Sequence, residues 1–511
     1  MPGTNDEMSR RRFLTRATLV SVGSVAAGSL AGSQIRAQDA APMPPHGAEL
    51  RGMELVLRDR SAEGRFGVMF KTLPGFAPAD NLLTELGISM RELGTTPEEN
   101  DQINDNPNPK LSAGFTFLGQ FIDHDITFDS TPVPEQLADP YATVSFRTPR
   151  YDLDSLYGKG PRVEPQFYDP NDPDKFLIKV NANGVEDVPR TSDGRAIIPD
   201  PRNDQHLIIV QLHLAFMKFH NALVDQVRAR GAAPATVFEA ARQLARWHYQ
   251  WIVLHDYLPR IIGQPLVDQI YQERLGRPPT ITLTYYQPSN TAGKPFLPVE
   301  FAAAAFRFGH SMARPRYTIS ANVSRVALFE AVPSDNNLNG SRPIPARLKI
   351  EWSKFFEIDG TQRPARRIDT KLADPLFFLP TVILPEPENP QTLLAVRNLL
   401  RGKRLGLPSG QQVARAMGLT PLSNEELGLA PGWNGEAPLW FYTLKEAELQ
   451  QGGRQLGAVA GRIIGEVLVG LLLRDRTSYL SMGPYFRPTP PIALEDGRFT
   501  MADLLMFAKV A

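Results

Sequence analysis

Apolar positions recur at steps of three and four along several long stretches of the chain. The clearest runs from 203 to 230, where Ile208, Leu212, Ala215, Phe216, Phe219, Leu223 and Val227 fall on one face of a 3.6-residue period. The same spacing predicts helices at about 112–127, 235–257, 299–312, 391–417, 442–450 and 455–473. Strand patterns are few. Ile178-Lys179-Val180 and Ala196-Ile197-Ile198 flank Asn183-Gly184 and Asp193-Gly194, dipeptides suited to tight turns, and read as small hairpins. Pro-rich stretches at 161–173, 385–390 and 488–491 read as ordered connectors, and residues 38–110 as a loop-rich extension ending in the breaker run 104–109. No fixed repeat and no flexible linker divides the rest. The pattern therefore predicts a mainly α fold: a single large helical domain over 111–511, with long loops and a few short β-hairpins.

Composition narrows the chemistry. The chain has 511 residues, 42% hydrophobic and 22% charged, which excludes a wholly disordered or collagen-like protein. Basic and acidic residues number 55 each, so a general electrostatic grip on nucleic acid is not expected. Cysteine is absent, which removes disulfides, thiolate metal sites, cysteine nucleophiles and iron–sulfur clusters. Any transition-metal chemistry must use the eight histidines and the carboxylates. At the start, Ser9-Arg10-Arg11-Arg12-Phe13-Leu14-Thr15 precedes a Gly/Ala/Ser/Val stretch from Ala17 to Gly32 and small residues near Ala37. Residues 1–37 resemble a twin-arginine export signal. This implies the twin-arginine export machinery as a partner and a periplasmic or extracellular location. No membrane association is expected after signal removal, because the apolar run 456–474 is interrupted by Arg462 and Glu466 and bounded by Arg474.

Five segments carry candidate chemistry. In Gly119-Gln120-Phe121-Ile122-Asp123-His124-Asp125, a helix places Gln120 and His124 on one face, with carboxylates about 100° to either side. An imidazole so flanked is a tunable proton-transfer group, although an acidic surface cluster with a satisfied histidine has the same pattern. Thr148-Pro149-Arg150-Tyr151-Asp152-Leu153-Asp154 offers oxygen donors at alternating positions, suited to a hard cation or to an ordinary acidic turn. Asp200-Pro201-Arg202-Asn203-Asp204-Gln205-His206 opens the long 203–230 helix. Phe306-Arg307-Phe308-Gly309-His310-Ser311 sits in an apolar helical stretch beginning near Glu300, where a lone histidine is usually a satisfied core residue. Arg397-Asn398-Leu399-Leu400-Arg401-Gly402-Lys403-Arg404 carries a basic run whose plain reading is a solvated helix face.

Taken in order, the five segments resemble the signature of the animal-type haem peroxidases of the peroxidase–cyclooxygenase superfamily, over roughly 80–510. The resemblance implies a helical haem-peroxidase domain with haem b and calcium. It implies hydrogen peroxide and a small phenol, amine or halide donor as substrates. It makes His124 the distal acid–base group, Arg202 the distal charge stabiliser, Gln120 a group ordering water or donor, and His310 the axial iron ligand. Asn398 becomes the hydrogen-bond acceptor of the proximal imidazole and Arg307 a propionate partner. Calcium falls to Asp125, Thr148, Asp152, Asp154 and the carbonyl of Arg150. Two departures stand out. Gln205 occupies a position where many relatives have a glutamate esterified to the haem, so at most one ester, through Asp123, remains. Arg307 replaces the radical-forming tyrosine of the dioxygenase and cyclooxygenase branches, which favours a peroxidase over the alternative of a fatty-acid dioxygenase. A silent calcium-binding or adhesion protein on the same fold is the alternative outside enzymes. His46, His213, His220, His248 and His255 read as structural, and Trp247, Trp251 and Tyr257 as core aromatics.

Overall fold

In a computed structural model, the described residues are 66–93, 106–127, 149–274, 277–287, 295–379, 393–430, 432–433, 435–482, 486–494 and 497–510. The expected export segment, residues 1–37, lies outside them. Helices dominate, and the described strands form six two-stranded sheets. The expectation of a mainly α fold with few short hairpins holds. Lys179–Val180 pairs antiparallel with Glu186–Asp187 around the Asn183-Gly184 turn, and an isolated bridge joins Arg190 to Ala196 around Asp193-Gly194.

Two helices form one side of the core. Helix α1, Gly114–Ile126, packs on α2, Leu207–Ala229, with Phe121 stacked on Phe216 at 4.5 Å between ring centroids. Helix α2 is long and apolar enough to cross a membrane, but 83% of its most apolar window is buried inside the protein. Its apolar periodicity therefore serves a core.

The stretch predicted as one helix over 235–257 is α3, Val237–Ile252, followed by a π-helical turn, Val253–Tyr257. Such wide turns occur often at functional sites. The predicted helix over 299–312 is instead three short pieces: Val299–Ala302, a 3-10 turn Ala305–Phe308, and Gly309–Met312. Ala304, at φ −133° and ψ −77°, breaks the run. Side chains take up carbonyls there, with Trp440 Nε1 donating to Arg307 O and Ser311 Oγ to Phe308 O. Apolar spacing carries no signal for such a break. The predicted helix over 391–417 is divided as well, into α4, Leu394–Arg404, and α5, Gly410–Ala416, with Pro408 in the turn and a Ser409/Gln412 capping box opening α5.

Within the stretch 38–110, the described residues, 66–93 and 106–110, are less loop-like than expected. They include a ten-residue helix, Asp80–Ser89, that buries Leu83 and Leu86. Phe66–Gly67 pairs with Leu297–Pro298. Next to that pair, the buried Glu300 carboxylate accepts the N–H groups of Met69 and Phe70 at 2.9–3.0 Å. Burial raises the pKa of this carboxyl against the pull of those N–H groups. Replacing it leaves buried donors unpaired. Glu300→Ala is expected to cost about 1–3 kcal/mol of stability, checked by the urea midpoint, with Glu300→Gln losing less.

Candidate active site

Helix α1 presents Gln120, Asp123 and His124 along one wall of a large cleft. The 3-10 turn Pro201–Asp204 and the two residues after it add Arg202, Gln205 and His206 to the same wall. Arg307 and His310, from the broken stretch after residue 299, and Arg401 from α4 line the same cleft. The empty space of the cleft, counting open solvent at its mouth, is about 1810 Å³. Side chains separated by nearly two hundred residues thus line one cleft.

Each imidazole is held from behind. His124 Nδ1 lies 2.8 Å from Oδ1 of Asn203. An amide oxygen only accepts, so Nδ1 carries the proton and Nε2 keeps its lone pair. Burial, followed by the charge of Arg202, pushes the His124 pKa down to about 4. His206 Nδ1 accepts from Ile209 N at 3.2 Å, capping α2, and its Nε2–H donates to Oε1 of Gln120 at 2.8 Å. That contact leaves the amide nitrogen of Gln120 as the end not taken by His206. Burial and neighbouring His124 push the His206 pKa down to about 3. Burial, and then Arg307 and Arg401, push the His310 pKa down to about 3. Asn398, behind it, sets its amide nitrogen 2.9 Å from Nδ1.

Arg202 is more constrained than its sequence context suggests. Its Nη2 donates to Asp200 Oδ2 at 2.8 Å and to the carbonyls of His124 and Thr127 at 2.7 and 2.5 Å, while Nε donates to Asp200 Oδ1 at 3.1 Å. The guanidinium therefore ties off the end of α1 while bringing positive charge to the cleft. The turn that carries it is clamped from outside. Arg190 forks onto Asp204 at 2.8 and 2.9 Å and onto Asp187 at 3.1 and 3.2 Å. Asp187 in turn accepts from Ile344 N. Gly340 lies so close that a Cβ there would sit 2.0 Å from Asp204 O, so only glycine fits.

Asp125 points to the other side of α1. It accepts from Ser155 Oγ at 3.0 Å and from Leu153 N at 3.3 Å. Carboxylate oxygens of Asp125, Asp152 and Asp154 lie within 4.8 Å of one another. Leu153, between the last two, adopts the left-handed φ of 57° that brings both toward Asp125. Arg150 lies at the start of the described part of this loop, and Thr148 lies outside the described residues.

The predicted residues Gln120, Asp123, His124, Arg202, Gln205, Arg307 and His310 thus line one cavity, with Asn398 behind it. Others escaped the sequence reading. Asn203 and His206 were visible only as letters beside Arg202, and His213 as one of several helix histidines. Arg401 sat in a run that reads as solvated. Tyr257 lines the cleft from the π-helical turn. A Cβ at Gly119 would lie 2.5 Å from its hydroxyl, so the glycine makes room for the phenol.

Residues 147–428, more than half of the chain, match the sequence model of the animal haem peroxidases. The chain belongs to the animal haem peroxidase family. It is similar to chorion peroxidase of Aedes aegypti, 24% identical over 339 residues, covering 63% of this chain and 40% of the relative. Heme peroxidase 2 of Caenorhabditis elegans is 25% identical over 325 residues, covering 55% and 40%. The chain thus spans well under half the length of these curated relatives. Among solved structures, peroxidase A from Dictyostelium discoideum matches with a TM-score of 0.54 at 15% identity, over 86% of this chain and 88% of that one. Oryza sativa fatty acid alpha-dioxygenase matches with a TM-score of 0.54 at 13% identity, over 90% and 87%. At those identities the structures speak for the shared fold of this family member.

Proposed function

We propose that the protein is a haem-dependent peroxidase that reduces hydrogen peroxide and oxidises a small organic or halide donor. The observation that carries this reading is the pair of neutral imidazoles, His124 and His310, facing one open cleft with a fixed partner behind each. The residues fit a haem. His310 would supply the imidazole that holds the iron, and Arg307 and Arg401 would supply positive charge for the propionates. A half turn of the Asn398 amide lets Oδ1 accept Nδ1–H, which frees Nε2 of His310 as a ligand and raises its basicity. Gln205 cannot form an ester, which leaves Asp123 as the one candidate attachment. Bound here, haem supplies the redox chemistry by which peroxide is reduced and a donor oxidised.

The protein's own groups handle the protons. His124 Nε2 takes a proton from hydrogen peroxide and returns it to the departing oxygen, acting as base and then as acid. Arg202 contributes positive charge against the negative charge developing on that oxygen. Gln120, its oxygen engaged by His206, turns amide N–H toward water or donor. Asp125, Asp152 and Asp154, with Thr148 and the Arg150 carbonyl, would hold calcium, the hard cation that suits clustered carboxylates. Residues 1–37 would direct export through the twin-arginine route to the periplasm or beyond. Tyr257 in the cleft wall gives the fatty-acid dioxygenase reading its foothold. Arg307 weighs against that reading.

His310→Ala should lose the haem absorbance band on purification. His124→Ala should keep it while peroxide reactivity falls by about two or more orders of magnitude. Haem-replete His310→Ala protein with full turnover would contradict the axial role. The depressed pKa of His124 fixes the sign of the pH response. The base is competent above its pKa, so the peroxide reaction should stay level from pH 8 to about 6 and fall as the pH approaches about 4. Asp152→Ala should lower the calcium found by elemental analysis and the melting temperature together; unchanged calcium would remove that site.

A further inference from the structure

The Asn203 side chain touches two histidines. Its Oδ1 is 2.8 Å from His124 Nδ1, and its Nδ2 is 3.1 Å from Nδ1 of His213, on α2. Asn203 and His213 are buried, and so is His124 apart from its face on the cleft. An amide has one accepting end and one donating end, so it cannot treat two imidazoles alike. With the oxygen toward His124, that ring must carry its proton on Nδ1, and His213 must be bare at Nδ1. With the amide turned over, His124 becomes bare at Nδ1 and carries its proton on Nε2, the nitrogen required as the base. The two rings therefore hold opposite tautomers, and the direction of the amide decides which ring has which.

The backbone under this amide has little freedom. Asn203 N donates to Asp200 O at 3.0 Å, Ser341 N to Asp204 O at 2.7 Å and Gly340 N to Gln205 O at 3.1 Å. The Arg190–Asp204 pair and the tight Gly340 approach hold the same turn. His206 donates to Gln120 and so does not compete for Asn203.

We infer that Asn203 and His213 are positioning residues for the tautomer of His124: the two ends of the Asn203 amide engage His124 and His213, and with its oxygen toward His124 the amide keeps that ring bare at Nε2. The inference rests on the reading of His124 as the distal base. It gives a role in catalysis to a histidine whose helical setting otherwise marks it as structural.

The test is the association rate of cyanide with the ferric, haem-loaded protein, measured by stopped flow. Binding as the anion requires a base to take the proton of hydrogen cyanide, and no turnover is involved. Haem loading is checked from the absorbance band of each variant. His124→Ala sets the rate without a base. Asn203→Leu, which removes both ends of the amide, should slow association by about 10–100-fold, the usual range for groups that orient a site from behind. Asn203→Asp offers only acceptors, keeps the Nδ1–H of His124 in place, and should restore a rate close to that of the parent. His213→Leu should fall between the parent and Asn203→Leu. If His124→Ala is slow while Asn203→Leu, or His213→Leu where Asn203→Leu does not fold, binds cyanide like the parent, the inference is overturned and the base assignment stands. If His124→Ala itself binds like the parent, the base assignment fails and takes the inference with it.

Discussion

Two imidazoles, His124 and His310, are held in surroundings that oppose their charge where both line one open cleft. Removal from water opposes the charged form of each, and a guanidinium beside each opposes it further: Arg202 for His124, Arg307 and Arg401 for His310. The cleft carries its own cost. Walls that meet no neighbour lose dispersion contacts, and the fold must hold them apart without collapse. Here the holding is done by the stacked Phe121 and Phe216, by the clamp on the 201–206 turn, and by the short pieces around residue 305. A tightly bound occupant returns part of that cost, since whatever binds only the folded state stabilises it.

Much of this was legible in the sequence. The 3.6-residue spacing in 203–230 marked α2 to within a few residues, because a buried helix leaves a regular apolar face. Gln120 and His124, four apart in a helical segment, had to share a face, and both line the cleft. What was not legible has physical reasons. The break at Ala304 leaves the apolar pattern intact, since 3-10 and α turns bury neighbouring residues alike over a few positions. Arg401 belongs to a basic run, and only the tertiary fold shows which member turns inward. Asn203 has no local signature at all. Its importance lies in a contact across 79 residues with His124 and another across ten with His213.

The departures from the family pattern are also where this chain is most its own. An amide at 205 replaces the glutamate that the resemblance connects with covalent haem attachment in many relatives. Beside it, His206 joins the start of α2 to Gln120. Tyr257, on the π-helical turn, adds a phenol to the cleft lining, while Arg307 stands at the position that the resemblance gives to a tyrosine in the dioxygenase branch.

The hairpin at 179–187 shows how far the site extends into the surface. Loops of this kind are where chains usually tolerate insertion and drift. Asp187 at its end is gripped by Arg190, and Arg190 grips the turn that carries Arg202 and Asn203. A length change in this small ribbon would be passed to the cleft floor as a shift in the footing of two side chains that never touch it. That hairpin is a foundation stone on the outside of the building, and variation in it should be as constrained as in the chamber it supports.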